Sequence, residues 1–240
     1  MNRIIWFILI VIAPLSVLRA AETAVWDTSN NSVTYSTTVD NLTLGSTPTD
    51  VSLSQFSAAA AAGQEGGSSG QYTLARVVLS LDGTVYGTVQ FQNNGPVTVN
   101  PTYDFSGYSR LTYGGYSTDR EYYDGNAVSL GSVATGAQTS IGVNSFGTGS
   151  VSTPNITSAL AGFSGTDTIS ASLYFPVGGL FSSGGTDFTT TLALRGLANV
   201  SVTYYYSEVP EPSSLAMLGV GCVAILSRRR FKHPIFDVQG

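Results

Sequence analysis

The chain of 240 residues is long enough for one large domain or two small ones with a buried core. Charged residues supply only 10% of it, whereas Ser and Thr supply about a quarter and Gly contributes 27 residues, which excludes a charge-rich disordered chain. The segment from Glu22 to Glu208, here called the body, contains 13 acidic residues and four arginines, so it carries a net charge of about −9. Nucleic acid is therefore a poor partner.

The body contains no Lys, no His and no Cys. These residues supply the usual zinc ligands and the usual base or nucleophile of a catalytic pair. We therefore expect no cofactor and no enzymatic activity. A carboxylate-based glycosidase remains an alternative, but it needs two acids about 5 to 10 Å apart, and no feature of the sequence selects such a pair.

The first twenty residues are typical of a secretory signal peptide. Arg3 gives a positive start, residues 4–18 form an apolar run, and Ala20 and Ala21 offer small residues for cleavage. We predict a signal peptide over residues 1–20. An uncleaved membrane anchor is the alternative, and both interpretations export the body.

From Ser32 onward, apolar and polar residues alternate with period two between Gly, Asn, Asp and Pro, which is typical of strands and turns. Val33 to Val39 and Val200 to Tyr206 each place every second residue on one face. Eight or more short strands predict an all-β domain over residues 21–207, an antiparallel sandwich or jelly roll. The other predicted strands start at Val51 and cover residues 72–91, 97–105, 127–133, 168–175 and 189–197.

Two local features interrupt this pattern. Asp82 and Gly83 suit the positive φ values of a tight hairpin turn, so we predict a turn in the middle of residues 72–91. Five consecutive alanines predict a short helix over residues 56–62, which we expect Gly63 to end.

Aromatic residues are dense between Tyr103 and Tyr123. Exposed tyrosine rings offer flat apolar faces to sugar rings, with hydroxyls nearby for hydrogen bonds. Tyr108, Tyr113 and Tyr116 are the candidates for such stacking, and a carbohydrate-binding module is therefore an alternative function of the body. The alternative is that these rings are ordinary core and strand-face residues.

The same stretch contains a cluster of carboxylates. Asp119, Glu121 and Asp124 lie within six residues, and carboxylate oxygens are ligands that Ca²⁺ prefers. Their spacing does not match an EF-hand, and Arg120 interrupts them. The cluster is a candidate calcium site, with a solvated turn as the alternative.

The C-terminal tail has three parts in a fixed order. Pro210, Glu211 and Pro212 stop any preceding strand, residues 215–226 are apolar, and Arg228, Arg229 and Arg230 follow. The apolar part is shorter than the roughly 20 residues that cross a bilayer comfortably, which indicates a temporary anchor. The arginines favour the cytoplasmic side. The alternative is a buried core helix.

This tail resembles the PEP-CTERM protein-sorting signal of exported bacterial proteins. The resemblance implies that residues 208–231 are a sorting and anchor segment, followed by a short cytoplasmic tail over residues 232–240. It implies recognition of Pro210, Glu211 and Pro212 by an exosortase-like membrane enzyme. It also implies transient membrane anchoring by a short hydrophobic helix, cleavage, and attachment to the cell surface or to its extracellular polysaccharide matrix.

The body resembles the choice-of-anchor E domain, a family of surface proteins with interchangeable C-terminal anchors. The resemblance rests on SLSQF at residues 52–56, on YTLARVVLSLDGTVYGTVQFQN at residues 72–93 and on the closing SVTYYY. It implies an exported β-domain. The sequence as a whole favours a structural or adhesive cell-surface protein over a carbohydrate-binding module or glycosidase.

Overall fold

The computed structural model describes residues 18–122, 127–146, 149–182 and 187–209. This part of the chain is mostly β-structure, and all strand pairs are antiparallel. The strands are β1 (Leu18–Arg19), β2 (Thr23–Asp27), β3 (Ser32–Leu42), β4 (Gly45–Ser54), β5 (Tyr72–Asn93), β6 (Thr102–Tyr113), β7 (Tyr116–Ser117), β8 (Glu121–Tyr122), β9 (Val128–Ser129), β10 (Gln138–Phe146), β11 (Val151–Ser152), β12 (Thr168–Phe175), β13 (Val177–Ser182) and β14 (Phe188–Glu208).

The strands form two sheets of seven strands each. The first sheet has the order β1-β3-β14-β5-β10, with β2 also pairing β3 and β11 also pairing β5. The second sheet has the order β13-β6-β12-β4, with β7, β8 and β9 also pairing β6. The all-β prediction is therefore confirmed.

Both sheets contribute to one hydrophobic core. The predicted faces of β3 and β14 are correct, because Val33, Val39, Val200 and Val202 are fully buried. The second sheet contributes a matching set of buried side chains, which includes Val51, Leu53, Leu111, Ile169 and Leu173. The alternate residues of these strands have their side chains on the outer faces of the sheets, because successive side chains of a strand point to opposite faces.

The predicted turn at Asp82 and Gly83 is wrong. Neither residue has a positive φ, and β5 runs through them without a break. They pair with Asn199 and Ala198 of β14, and these two residues form the gap between the two strands predicted at residues 189–197 and 200–206. The predicted turn in β5 and the predicted break in β14 therefore lie opposite each other. The long ladder between the two strands overrides the local turn preference at both positions.

The predicted helix is present but shifted. Helix α1 spans Ala58–Glu65, and the Ser57 side chain accepts a hydrogen bond from the Ala60 N–H at its start. Gly63 lies inside the helix, and Gly66 ends it with a φ of 78°. A left-handed residue is needed only at the position after the last turn, so the second glycine, not the first, terminates α1. Short 3₁₀ turns cover Thr28–Asn30, Ser69–Gln71 and Leu160–Phe163.

After Asn93, some strand boundaries agree with the sequence prediction and others do not. β12 covers the predicted residues 168–175, whereas β6 starts at Thr102 rather than at residue 97, and only Val128–Ser129 of residues 127–133 form a strand. In this region Val99 and Val133 make an isolated bridge instead. Pro101 precedes β6 and cannot donate to a strand ladder, which fits the late start.

Candidate functional site

The C-terminal segment leaves the domain from the end of β14. The last pairs of this strand join Ser207 to Thr73 and Glu208 to Tyr72 of β5. One residue later, the Val209 N–H donates to the Gln71 carbonyl oxygen. The predicted sorting residues Pro210, Glu211 and Pro212 follow at once, but they lie outside the described residues, as do Arg228, Arg229 and Arg230.

The predicted membrane-associated segments also lie mainly outside the described residues, which begin at Leu18 and end at Val209. Within the described part of the chain, no helix is long and apolar enough to cross a membrane. Two residues of the predicted signal peptide are described: Leu18 and Arg19 form β1 and pair with Asp40 and Val39.

An apolar groove of about 520 Å³ lies at the end of the domain from which the tail departs. Phe56 and the start of α1 form one wall, Tyr72 and Leu74 of β5 form another, and Leu160 completes it. Tyr72 therefore belongs both to this groove and to the last residue pair before the tail.

Tyr113 and Tyr116 pack on the inner side of the second sheet. Their rings lie 4.9 Å and 6.2 Å from the ring of the buried Phe163. The Tyr113 hydroxyl donates to the Gly162 carbonyl oxygen at 2.9 Å, and the Tyr116 hydroxyl donates to the Ser158 carbonyl oxygen at 3.0 Å. Both rings and both hydroxyls are thus engaged within the domain.

Tyr108 lies on the opposite face of β6. It is five residues from Tyr113 in one strand, and an odd separation places two side chains on opposite faces. The Arg120 guanidinium lies 4.4 Å from the centre of the Tyr108 ring, and the Tyr122 ring lies 6.3 Å away. The three candidate rings therefore do not form one row.

The outer face around Tyr108 carries further aromatic and cationic side chains. Tyr122 pairs with Tyr108 across the β6–β8 ladder and is 43% exposed. On the other side of β6, the guanidinium of Arg110 lies 5.4 Å from the ring of its partner Tyr174. We name these five residues, Tyr108, Arg110, Arg120, Tyr122 and Tyr174, the tyrosine–arginine patch.

This patch holds two of the four arginines in a body of net charge about −9. It therefore concentrates positive charge beside aromatic rings. Cation–π contacts of this kind contribute about 0.5–1 kcal/mol at exposed sites, and they leave the edge N–H groups of the guanidinium free to bind carboxylates. Of these five residues, the sequence pattern indicated only Tyr108 as a candidate binding residue.

The structure separates the candidate calcium ligands by burial. Asp119 is exposed, whereas Glu121 is fully buried and its Oε2 accepts a hydrogen bond of 2.9 Å from the Ser109 hydroxyl. Asp124 lies outside the described residues. Among the residues that are described, no three His, Cys, Asp or Glu side chains lie close enough together to hold a metal ion.

The tyrosines with the most shifted pKa values are structural. Burial raises the pKa of the Tyr204 phenol well above its ordinary value, and its hydroxyl donates to the Ser54 carbonyl oxygen at 2.8 Å. Burial and the hydrogen bond to Glu65 likewise raise the pKa of Tyr206. Phenols held neutral in this way stabilise the core, and they are unsuited to act as bases near neutral pH.

Comparison with known proteins identifies the segment that follows β14. The family model of the PEP-CTERM protein-sorting motif matches residues 208–230. This motif implies an exported protein that is sorted by exosortase, so the predicted export and sorting are confirmed. No curated protein and no solved structure matches the chain significantly.

Proposed function

We propose that this protein is a structural or adhesive component of the cell surface or extracellular matrix. The observation that carries the proposal is the position of the PEP-CTERM motif, which starts at the last residue of β14. A sorting signal joined directly to the end of a long central strand fits a domain whose function is to be attached. The absence of Lys, His and Cys from the body supports a protein that is not an enzyme and needs no cofactor.

The proposed layout assigns each segment one function. Residues 1–20 are a signal peptide, residues 21–207 are an exported β-sandwich of the choice-of-anchor type, and residues 208–231 are the sorting segment. The shared hydrophobic core of the two sheets supports the sandwich. Residues 232–240 form a short cytoplasmic tail until an exosortase-like enzyme cleaves the segment and transfers the domain from the membrane to the matrix.

Intact-mass measurement of the protein recovered from the surface of its native host tests this proposal. The surface form is expected to lack the residues that follow the Pro-Glu-Pro element. A Glu211→Ala variant is expected to keep the full tail and remain in the membrane fraction. Asp82→Ala is the matched control, because it removes an exposed acid of β5 and leaves the whole motif intact. A wild-type surface form that still ends at Gly240 would refute the processing.

A carbohydrate-binding function is the second candidate, and the tyrosine–arginine patch favours it. Tyrosine faces stack on sugar rings, and arginines bind carboxylates through paired hydrogen bonds. The patch therefore suits an acidic matrix polysaccharide, which would add a second attachment besides the processed C-terminus.

Affinity electrophoresis through gels that contain an acidic polysaccharide, such as alginate, tests this candidate. Tyr108→Ala and Arg120→Ala are each expected to weaken the retardation, because each removes one partner of the 4.4 Å stack. Tyr113→Phe is the control, since its ring lies on the other face of β6. Equal retardation of all three variants and the wild type would exclude the patch as the binding surface.

A further inference from the structure

The outermost strand β10 has one open edge. Among the described residues it pairs only with β5, in a continuous register from Gln138 opposite Gln92 to Phe146 opposite Thr84. The hydrogen bond from the Asn93 N–H to the Ala137 carbonyl oxygen fixes the phase of this ladder. In an antiparallel pair, every second residue directs its backbone N–H and C=O groups to the neighbouring strand, and the residues between them direct theirs to the other side. The residues that direct their backbone N–H and C=O groups to the open edge are Gln138, Ser140, Gly142 and Asn144.

This edge lacks the protection that edge strands usually have. β10 contains no charged residue and no proline over its nine residues, and neither does its neighbour β5 from Thr84 to Gln92. Soluble proteins usually place charges, prolines or covering side chains at such positions to prevent pairing with another chain. In a body of net charge about −9, the absence of charge from two adjacent strands makes this region unusually compatible with a second copy.

An edge strand of the second sheet is protected in the usual way. Edge strand β4 contains Pro48, and its Ser54 N–H donates to the Glu22 carboxylate at 2.8 Å. Pro48 has no N–H to offer, and the Glu22 carboxylate occupies an N–H of β4 that a further strand would need.

We propose that β10 is a homodimer interface, in which two copies of this chain pair antiparallel and join their first sheets into one continuous sheet. A two-fold axis at Gly142 uses all nine residues of the strand. It places Ile141 of one copy opposite Val143 of the other on the core side, which covers the half-buried Ile141. Gly142 meets itself at the axis, and the space around it is open.

A second copy suits this edge better than an unrelated peptide. Each copy brings the same uncharged strand, so no like charges meet at the interface. Ser140 of each copy lies opposite Asn144 of the other on the exposed face, where the two side chains can hydrogen-bond. The inference does not depend on polysaccharide binding or on processing of the tail, and it would give a matrix protein a way to link copies.

Light scattering on the full-length chain in mild detergent, over a range of concentrations, tests the interface. The wild type is expected to form a dimer. Gly142→Pro removes the outward N–H from both copies and is expected to weaken dimerisation by about tenfold or more. It breaks no bond to β5, so the melting of the monomer should change little. Ser140→Lys replaces the hydroxyl that lies opposite Asn144 of the other copy with a longer charged side chain, once on each side of the axis, and is also expected to weaken dimerisation.

Thr191→Lys is the matched control for Ser140→Lys. Thr191 lies on the same outer face and at the same level, because Ser140 pairs with Gln90 and Gln90 pairs with Thr191. It is two strands inside the edge, about 9.6 Å away. The control is expected to keep the wild-type dimer. A monomeric wild type, or a dimer that Gly142→Pro and Ser140→Lys leave intact, would overturn the proposal.

Disulfide trapping gives a second measurement. In a Cys222→Ser background the chain has no other cysteine. Gly142→Cys places two thiols opposite each other at a Cα separation of about 5.5 Å, within the range that a disulfide spans. Mild oxidation is expected to give a covalent dimer for Gly142→Cys and none for Thr191→Cys. Equal cross-linking of both variants would refute the predicted register.

Discussion

Gly87 is the position where a single methyl group should most clearly destabilise the domain. It lies in the middle of β5, between Val143 of β10 and Leu194 of β14, so both of its sides are occupied by backbone. Its φ is 136°, a conformation that other residues adopt rarely. A Cβ built on Gly87 would press against the Ala193 carbonyl oxygen and would lie 3.0 Å from the Leu194 Cα.

The expected cost of Gly87→Ala has two parts. Holding a residue other than glycine in this region of φ costs about 1–3 kcal/mol. The clash involves backbone atoms of a paired strand, which cannot move away as a side chain end can, and overpacking of this kind costs about another 1–3 kcal/mol. The total of about 2–6 kcal/mol is a large share of a typical stability of about 5–15 kcal/mol. For a domain of this size it lowers the melting temperature on the order of 10 °C.

Gly178→Ala is the control for this substitution. Gly178 is also a strand glycine, but its φ is not in the left-handed region, and nothing lies within 4 Å of its added Cβ. We expect its free energy of unfolding to change by no more than about 0.5–1 kcal/mol. Thermal melts of both variants by circular dichroism make the comparison. If Gly87→Ala melted together with Gly178→Ala, the continuous pairing of β5 with β14 at this point would be wrong.

Three further outcomes follow from the core and the helix. Burial raises the pKa of Tyr204 above its ordinary value of 10.0, so the neutral phenol stabilises the fold below pH 10 and this contribution is lost as the pH rises above 10. Tyr204→Phe should therefore show a smaller loss of stability at alkaline pH in pH-dependent melts. At neutral pH the same variant should be less stable by about 1–3 kcal/mol, because it loses the hydrogen bond to Ser54. Ser57→Ala removes the cap of α1 and should cost about 1 kcal/mol in urea titrations. Leu79→Ala, at a fully buried site, should cost about 2–5 kcal/mol, whereas Val25→Ala, at a side chain that is 62% exposed, should change stability little.

The fold class and several faces could be predicted because they depend on local alternation. Val33 to Val39 and Val200 to Tyr206 carry their apolar residues at period two, and the structure buries those residues. The turn at Asp82 and Gly83 could not be rejected from the sequence, because the pairing partner that straightens it lies more than a hundred residues away in β14. Local turn preference is weak beside a ladder that runs the full length of both strands.

The tyrosine–arginine patch could be predicted only in part, because it also depends on pairing between distant strands. The odd separation of Tyr108 and Tyr113 was a usable signal, since two residues five apart in one strand must face opposite ways. Tyr122 and Tyr174 had no such signal, because their places beside Tyr108 and Arg110 depend on the register of three strands. The sorting motif, in contrast, is a continuous sequence, and its recognition needs no tertiary structure.

The proposed attachment through the C-terminus would make β14 the strand that bears mechanical load. If the domain is held by the residues that follow Val209, a pull on the molecule acts along β14 from its end. This strand is central in the first sheet: it pairs with β5 along its whole length and with β3 from Gly196 to Tyr205. Such a pull loads both ladders in shear, so many hydrogen bonds must break together before the strand moves. An edge strand such as β10 would share the load with only one neighbour, and a domain anchored there would open more easily.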